Sequence, residues 1–173
     1  VVRNKGAQPS CLEQRGENPN SPQKALVIGN SNYDYSLLHN PVNDARSITD
    51  ALVNMEFHVT QATNLNHQMM SQVIKEFEEH LSYQNVALFY FSGHGVQVKG
   101  ENFLLPVNNT IIREEDDLPK NTVSAQNALA MMKDANKGVN LLVLDACRDN
   151  PYQGSKRNGT RGRDGVCNPV QNV

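Results

Sequence analysis

Two almost entirely apolar runs constrain the fold of this chain more than any other feature. They are Val86–Phe91, with the sequence VALFYF, and Val139–Leu144, with the sequence VNLLVL. A strand that is apolar on both sides is buried on both faces, which is typical of a parallel sheet between two layers of helices. Shorter strand-like runs precede them at Lys24–Gly29 and Phe57–Ala62. The sequence therefore predicts four strands in a buried, mostly parallel sheet.

Helical patterns alternate with these strands. Apolar residues recur every three or four positions over Asn43–Asn54 and Gln68–Leu81, and Ser124 is a typical N-cap for a third helix that continues through Ala135. Between the third strand and the third helix, Gln97–Leu104 predicts a small hairpin with a Lys-Gly turn. Alternating strands and helices predict an α/β fold with helices on both faces of the sheet.

Charge and hydropathy disfavour two classes of partner. The 173 residues include 16 basic and 18 acidic side chains, which leaves a net charge of −2 at pH 7. So small a net charge gives no electrostatic footprint for nucleic acid or for an anionic membrane surface. No apolar run approaches the roughly 20 residues that a membrane-spanning helix needs. We therefore expect neither partner, and we expect a soluble protein whose compartment the sequence leaves open, with the cytoplasm favoured.

A histidine and a cysteine follow the two apolar runs. His94 lies in Ser92–Gly95 (SGHG), and Cys147 lies in Leu144–Asp149 (LDACRD). Ligand chemistry gathers at the carboxyl ends of strands in an open parallel sheet, so we expect the imidazole and the thiol to lie side by side. A neighbouring imidazole converts a thiol into a nucleophile at neutral pH. The alternative is that Cys147 is a small buried apolar side chain, as free cysteines usually are.

These motifs resemble those of the caspase-like cysteine peptidases, the clan that includes peptidase family C14. The His-Gly and Ala-Cys-Arg elements match the family's catalytic motifs, whereas Asp145 and Asp149 stand where caspases have Gln and Gly. Those departures favour the paracaspase, metacaspase and bacterial caspase-like branches. The resemblance covers roughly residues 24–152, and three further stretches support it: Ala25–Asn30, Asn40–Ala45 and Gly100–Val107.

The resemblance implies a catalytic dyad and a pocket for a basic side chain. His94 would act as general base and acid and Cys147 as nucleophile, with the amides of Gly95 and Cys147 as oxyanion donors. Asp44 and Asp145 match acidic positions that bind Arg or Lys at the cleaved position in paracaspases and metacaspases. The alternatives are that Asp44 is an ordinary acidic residue in the first turn of a helix, stabilised by the helix dipole, and that Asp145 is a structural turn former.

Composition and the resemblance together predict three parts of the chain. Residues 1–23 form a polar arm without regular structure, 24–152 form the large-subunit half of a caspase-like three-layer sandwich, and 153–173 form a basic linker or tail rich in Gly and Asn. The small-subunit half that such domains normally add after the nucleophile is expected to be missing from this chain or to come from another. Four basic residues of the tail are potential self-cleavage sites: Lys156, Arg157, Arg161 and Arg163.

The sequence therefore predicts a cysteine endopeptidase that cleaves protein or peptide substrates after Arg or Lys. The dyad requires no cofactor, and no metal site is predicted, since the acidic run Glu114–Asp117 is interpreted as a solvated loop rather than a calcium site. The alternative is a catalytically inactive caspase-fold module with a regulatory or interaction role. A nucleotide-binding domain is disfavoured because Gly29–Asn32 lacks the Gly-x-Gly-x-x-Gly fingerprint.

Overall fold

The structure, a computed structural model, describes residues 11–146. Its elements in chain order are β1 (Cys11–Arg15), β2 (Gln23–Gly29), α1 (Pro41–Asn54), β3 (His58–Thr63), α2 (His67–Glu79), β4 (Val86–Gly93), β5 (Gly95–Val98), β6 (Glu101–Leu104), α3 (Leu118–Asn121), β7 (Val123–Ser124), α4 (Ala125–Ala135) and β8 (Val139–Ala146). Two short 3-10 turns precede α3, at Asn109–Ile111 and Glu115–Asp117.

Five strands form the main sheet, in the spatial order β1-β3-β2-β4-β8. β2 is parallel to both β3 and β4, and β4 is parallel to β8. Side chains of the two central strands, such as Leu26, Ile28 and Phe91, are completely buried. These residues are apolar on successive positions because both faces of a central parallel strand are covered. The predicted mostly parallel sheet is confirmed.

Helices cover both faces of the main sheet, which confirms the predicted three-layer α/β architecture. α1 packs on one face, where its Ala45 and Leu52 join a buried cluster with Val59 of β3. α2 and α4 pack on the other face through Met70 and Met132. Fully burying a Leu or Met side chain contributes about 1.5–3 kcal/mol, so both clusters stabilise the packing of the helices on the sheet. No helix within residues 11–146 combines the length and the apolar character needed to cross a membrane.

Proline and polar caps set where the helices begin. α1 begins at Pro41, two residues before the predicted start, because the fixed φ and missing N–H of proline suit a first helical turn. Ser124 caps α4 as predicted, with its hydroxyl accepting a hydrogen bond from the Asn127 N–H at 3.2 Å. Asn66 caps α2 in the same way, accepting from the Met69 N–H at 2.9 Å.

β5, β6 and β7 form a separate antiparallel sheet. Lys99 and Gly100 connect β5 to β6, with φ values of 51° and 85°. Two successive residues with positive φ make the tight turn that suits a two-residue hairpin. The predicted hairpin is confirmed, and Gly95 lies at its first position.

The acidic segment before α4 is more structured than the solvated loop that the sequence predicts. The Asp117 carboxylate accepts hydrogen bonds from the N–H groups of Arg113 at 2.9 Å and Glu114 at 3.3 Å. It therefore caps the turn that leads into α3. A carboxylate at this position satisfies amides that have no partner inside the turn.

The burial of β8 differs from the prediction. Leu142 and Leu144 pack against the cluster of α2 and α4, but Val139, Leu141 and Val143 on the opposite face are 51%, 44% and 44% exposed. Within residues 11–146, no strand pairs with the outer edge of β8, and α1 covers the other parallel strands of this face. The prediction that this run is buried on both faces is therefore wrong for the described part of the chain.

β1 lies in the segment for which the sequence predicts no regular structure, and that prediction is wrong for Cys11–Arg15. The strand pairs antiparallel with β3, and none of its side chains is fully buried. An exposed edge strand needs only the backbone bonds of its neighbour, so its sequence carries no apolar period. Arg15 also forms an ion pair with Asp50 of α1, with 2.8 Å between Nη2 and Oδ1.

Candidate active site

The register of β4 and β8 brings the two sequence motifs to one edge of the main sheet. The two strands are parallel neighbours, and Gly93 at the end of β4 lies opposite Ala146 at the end of β8. His94 directly follows β4, at the carboxyl edge of the sheet. Cys147 follows Ala146 in the sequence and lies outside the described residues. The described half of the predicted dyad is thus at the sheet edge where ligand chemistry gathers.

The ring of His94 is held by a backbone carbonyl. Its Nε2 lies 2.6 Å from the carbonyl oxygen of Ser36. A carbonyl oxygen can only accept a hydrogen bond, so Nε2 is the ring nitrogen that carries the proton. In the neutral imidazole, Nδ1 then has a free lone pair. The Ser36 carbonyl therefore defines which nitrogen of His94 can act as a base.

Burial lowers the pKa of His94 below its ordinary value of 6.5. The hydrogen bond to the Ser36 carbonyl stabilises the protonated ring and offsets part of this shift. The neutral imidazole therefore predominates at neutral pH. This is the protonation state that a general base needs.

The loop that carries Ser36 is fixed by a buried asparagine. Ser36 has a φ of 65°, which is uncommon for a residue other than glycine. The preceding Tyr35 donates its N–H to Asn109 Oδ1 at 3.0 Å, and Asn109 Nδ2 donates to the Tyr35 carbonyl at 2.9 Å. The sequence analysis missed both Ser36 and Asn109. Ser36 contacts His94 through its backbone carbonyl, which no side-chain pattern can reveal. Asn109 lies 74 positions after its partner Tyr35, so no local pattern marks it either.

Tyr33 is a second support of His94 that the sequence analysis missed. Its ring centroid lies 4.4 Å from that of the imidazole, at an interplanar angle of 56°. Its hydroxyl accepts a hydrogen bond from the His94 backbone N–H at 2.8 Å. Burial raises the pKa of this hydroxyl, so the group stays neutral. Tyr33 stands in a turn-prone segment, and only its contacts reveal its role.

Asp145 lies beside two hydroxyl groups of β4. Its Oδ2 accepts hydrogen bonds from the Tyr90 hydroxyl at 3.3 Å and from the Ser92 hydroxyl at 3.5 Å. Burial and then the charge of Asp145 raise the pKa of Tyr90 to about 12, so Tyr90 remains a neutral donor. Both donors are neutral hydroxyl groups, so these two hydrogen bonds orient the carboxylate without placing a positive charge beside it, and a carboxylate so oriented can bind a cation.

Asp44 lies in the first turn of α1 and is half-buried. Its negative charge also acts on the Tyr90 hydroxyl and contributes to the raised pKa of that group. The structure therefore brings Asp44 and Asp145 into the surroundings of one tyrosine side chain. The position of Asp44 also suits the helix dipole, so a structural role and a pocket role are compatible.

Gly95 begins β5 opposite Leu104. The Leu105 N–H donates to the His94 carbonyl at 3.0 Å, so Gly95 and Leu104 form a non-hydrogen-bonded pair of the antiparallel ladder. The Gly95 N–H is therefore not used by this ladder and points away from β6. An amide in such a position is able to donate to an oxyanion.

The other predicted site residues lie outside the described residues. They are Cys147, as nucleophile and oxyanion donor, and the four tail residues Lys156, Arg157, Arg161 and Arg163. Over residues 11–146, no group of three or more His, Cys, Asp or Glu side chains has the geometry to hold a metal ion.

Two curated relatives match this chain in sequence. The mucosa-associated lymphoid tissue lymphoma translocation protein 1 of Homo sapiens is 31% identical over 142 residues, which cover 81% of this chain and 17% of the human protein. Its homologue from Mus musculus is 30% identical over 141 residues, which cover 81% of this chain and 16% of the mouse protein. The chain therefore spans only a small part of the length of these relatives.

The fold and the family are shown by two further matches. A crystal structure of a structural genomics target from Geobacter sulfurreducens superposes with a TM-score of 0.57 at 17% identity, over 72% of this chain and 50% of that one. This likeness concerns the fold alone. The family model of the caspase domain, peptidase C14, matches residues 22–171. Because that match extends over most of the chain and includes both motifs, this protein belongs to the caspase domain family, peptidase C14.

Proposed function

We propose that this chain is a cysteine endopeptidase in which Cys147 is the nucleophile and His94 the general base. The parallel register of β4 and β8, which ends with Gly93 opposite Ala146, is the observation that carries the proposal. Neighbouring parallel strands are about 4.8 Å apart. Gly93 and Ala146, the residues that precede His94 and Cys147 in the sequence, are therefore separated by about one strand spacing. Membership of the caspase domain family supports the same chemistry.

The proposed reaction begins with proton transfer from the Cys147 thiol to the free Nδ1 of His94. The thiolate attacks the carbonyl carbon of the scissile bond, and the amides of Gly95 and Cys147 donate to the developing oxyanion. The imidazolium gives its proton to the leaving amine, which departs and leaves a thioester on Cys147. Water that has been deprotonated by His94 then hydrolyses the thioester and regenerates the thiol. These steps use no cofactor.

The residue before the cleaved bond is proposed to be Arg or Lys. Two carboxylates, Asp44 and Asp145, act on the hydroxyl of Tyr90, and the hydroxyls of Tyr90 and Ser92 orient the Asp145 carboxylate. Carboxylates bind a guanidinium or ammonium group through charge-assisted hydrogen bonds, and they repel an acidic side chain. The proposed substrates are therefore proteins or peptides with an accessible basic residue.

Fluorogenic peptides that differ only in the last residue before the reporter test this function on the full-length protein. We expect cleavage after Arg and Lys and none after Asp. The Cys147→Ala variant is the matched control, because it lacks only the nucleophilic sulfur. Equal cleavage by that control, or a preference for the Asp peptide, contradicts the proposal.

A second candidate is an inactive caspase-fold module that acts by binding. The exposed side chains of Val139, Leu141 and Val143 on one face of β8 favour it, since neighbouring exposed apolar side chains form a contact surface. In the proposed endopeptidase, the small-subunit half covers this face instead. An Arg chloromethyl ketone distinguishes the two candidates. In an active peptidase, it should alkylate the activated Cys147 much faster than the exposed Cys11. In an inactive module, the two thiols should be alkylated at similarly low rates.

A further inference from the structure

The hairpin of β5 and β6 begins with an interrupted ladder. Gly95 lies opposite Leu104, so the next pair outward is His94 and Leu105. One hydrogen bond of that pair is present, from the Leu105 N–H to the His94 carbonyl at 3.0 Å. Two bonds replace the reciprocal one: the His94 N–H donates to the Tyr33 hydroxyl at 2.8 Å, and this hydroxyl donates to the Leu105 carbonyl at 3.2 Å. The tyrosine oxygen is therefore inserted into the ladder.

Two further contacts bring Tyr33 to the same place. Its ring packs on the His94 imidazole, with 4.4 Å between the ring centroids. A Cβ atom at Gly93 would lie only 2.4 Å from the Tyr33 hydroxyl oxygen, so the residue before the histidine leaves just enough room for that oxygen. Tyr33 itself is 4% exposed, which holds its ring in one position. The side chain thus contacts the backbone and the ring of His94 at once.

We propose that Tyr33 is the positioning residue that sets where the His94 imidazole lies. The inference rests on the proposed peptidase function, because it concerns the same base. The Ser36 carbonyl orients the ring, and the Tyr33 hydroxyl sets the point from which the ring projects. The Tyr33 hydroxyl bonds to the backbone of His94 and not to a ring nitrogen, so its proposed effect on the reaction acts through the position of His94.

Removing the hydroxyl has a defined structural consequence. Without the oxygen, the His94 N–H faces the Leu105 carbonyl, which still accepts a hydrogen bond from Asn30 Nδ2 at 3.3 Å. A direct ladder bond to this carbonyl then gives the His94 N–H a new acceptor. The backbones at His94 and Leu105 then approach each other by about the width of the lost oxygen atom, so His94 moves toward β6. A misplacement of about 1 Å at a catalytic group costs on the order of 100-fold in rate. Little stability is lost, because one hydrogen-bonded arrangement replaces another.

The Tyr33→Phe variant tests this proposal because it keeps the ring and removes one oxygen. We expect kcat for an Arg peptide to fall about 10- to 100-fold per titrated active site, while KM stays within about two-fold. The denaturant midpoint should stay close to that of the unmodified protein. Tyr83→Phe is the matched control, since the Tyr83 side chain is 69% exposed and should leave kcat unchanged. An unchanged kcat in Tyr33→Phe overturns the proposal.

Two outcomes separate positioning from general support of the fold. A loss of activity that is explained by fewer titratable sites or by unfolding makes Tyr33 a merely structural residue and overturns the proposal. A loss at constant site number, together with a changed 15N NMR signature of the His94 ring, supports it. The changed signature is expected because a displaced ring loses the Ser36 carbonyl that holds the proton on Nε2.

A measurement on the unmodified full-length protein covers the case in which the variant does not fold. The His94 amide is bonded to a buried hydroxyl, so we expect it to exchange as slowly as the ladder amides of β5 and β6. Fast exchange of this amide overturns the proposal. The NMR and hydrogen-exchange measurements do not need peptidase activity. Failure to cleave basic peptides would therefore count against the proposed function only. The role of Tyr33 would still be decided by the 15N signature of the His94 ring and by the exchange rate of its amide.

Discussion

At the scale of single residues, the proposed chemistry depends on the proton of His94. The Ser36 carbonyl, 2.6 Å from Nε2, selects the tautomer whose Nδ1 accepts a proton. A carbonyl supplies no negative charge to stabilise the imidazolium, so burial still lowers the pKa of the ring. The protein thus holds a neutral, oriented base with a backbone acceptor rather than a third ionisable side chain.

The first residue-scale prediction concerns the dyad. Cys147→Ala and His94→Ala should each reduce kcat by at least about 1000-fold, because one removes the nucleophile and the other removes the group that activates it. Residues that act as a unit are non-additive, so the double variant should be hardly worse than either single one. Steady-state kinetics on an Arg peptide measure these effects, and far-UV circular dichroism checks the fold. Residual activity of Cys147→Ala that depends on Cys11 or Cys167 would contradict the assignment.

The second residue-scale prediction concerns pH. The base acts in its neutral form, and burial lowers the pKa of His94 below 6.5. Acidification therefore protonates His94 only below its ordinary pKa, and the acid limb of kcat/KM should lie below pH 6.5. The measurement is kcat/KM for an Arg peptide in buffers of constant ionic strength. An acid limb above pH 6.5 would show that the ring is not held in the partly buried position that the structure describes.

At the scale of elements, the proposed acidic pocket would be built by β4, β8 and the start of α1. Side chains alternate along a strand, so Tyr90 and Ser92 project from the same face of β4. That face also carries α1, since Tyr90 belongs to the buried cluster of Ala45. Asp145 extends from β8 on this face, and the charge of Asp44 in the first turn of α1 acts on the same Tyr90 hydroxyl. Three elements that are separate in sequence would therefore supply the proposed pocket.

The element-scale prediction concerns this pocket. Asp145→Asn should lower kcat/KM for an Arg peptide by about 10- to 100-fold, which corresponds to the loss of a charge-assisted hydrogen bond. Tyr90→Phe should lower it by about 2- to 10-fold, because the carboxylate remains and loses only one neutral donor. Both effects should be much smaller with a norleucine peptide. Asp134→Asn is the matched control, since the Asp134 side chain is 88% exposed and lies outside the pocket. Equal losses with the Arg and norleucine peptides would exclude a role in charge recognition.

At the scale of the whole molecule, the exposed face of β8 adjoins the proposed pocket. Val139, Leu141 and Val143 share this face of the strand with Asp145. A segment that covers the three apolar side chains therefore also bounds the pocket beside Asp145. This geometry supports the proposal that a small-subunit half completes both the core and the substrate site.

The whole-molecule prediction concerns self-processing. The segment after Tyr152 contains four basic residues, Lys156, Arg157, Arg161 and Arg163, among Gly and Asn. Polar segments of such composition are typical sites of proteolytic cleavage, and a protease that recognises basic residues would find its cleavage sites in this sequence. We expect the full-length protein to cleave itself after one of the four, and intact-mass analysis identifies the site. Cys147→Ala should stay uncut. A wild-type protein that remains intact while it cleaves an Arg peptide would contradict this prediction.

The sequence by itself determined the features that depend on near neighbours. Apolar periodicity placed the four parallel strands and the three longer helices, and the Lys99-Gly100 dipeptide placed the hairpin turn. Ser124 was identifiable as a cap because capping acts over three residues. His94 was identifiable as a candidate site residue because it stands between two glycines directly after a buried strand. The end of such a strand lies at the edge of the sheet. These signals are local, so a single sequence contains them.

Only the tertiary structure decided which groups support the histidine and which strand faces are covered. The partners of His94, the Tyr33 hydroxyl and the Ser36 carbonyl, lie 61 and 58 positions away in the sequence. A backbone carbonyl has no sequence signature, and an aromatic residue in a turn-prone segment has no pattern that points to a distant amide. The exposure of β8 and the pairing of β1 likewise depend on neighbouring strands, not on the composition of the strand itself. Side-chain period reports which residues share a face, and the packing of the whole chain decides what lies against that face.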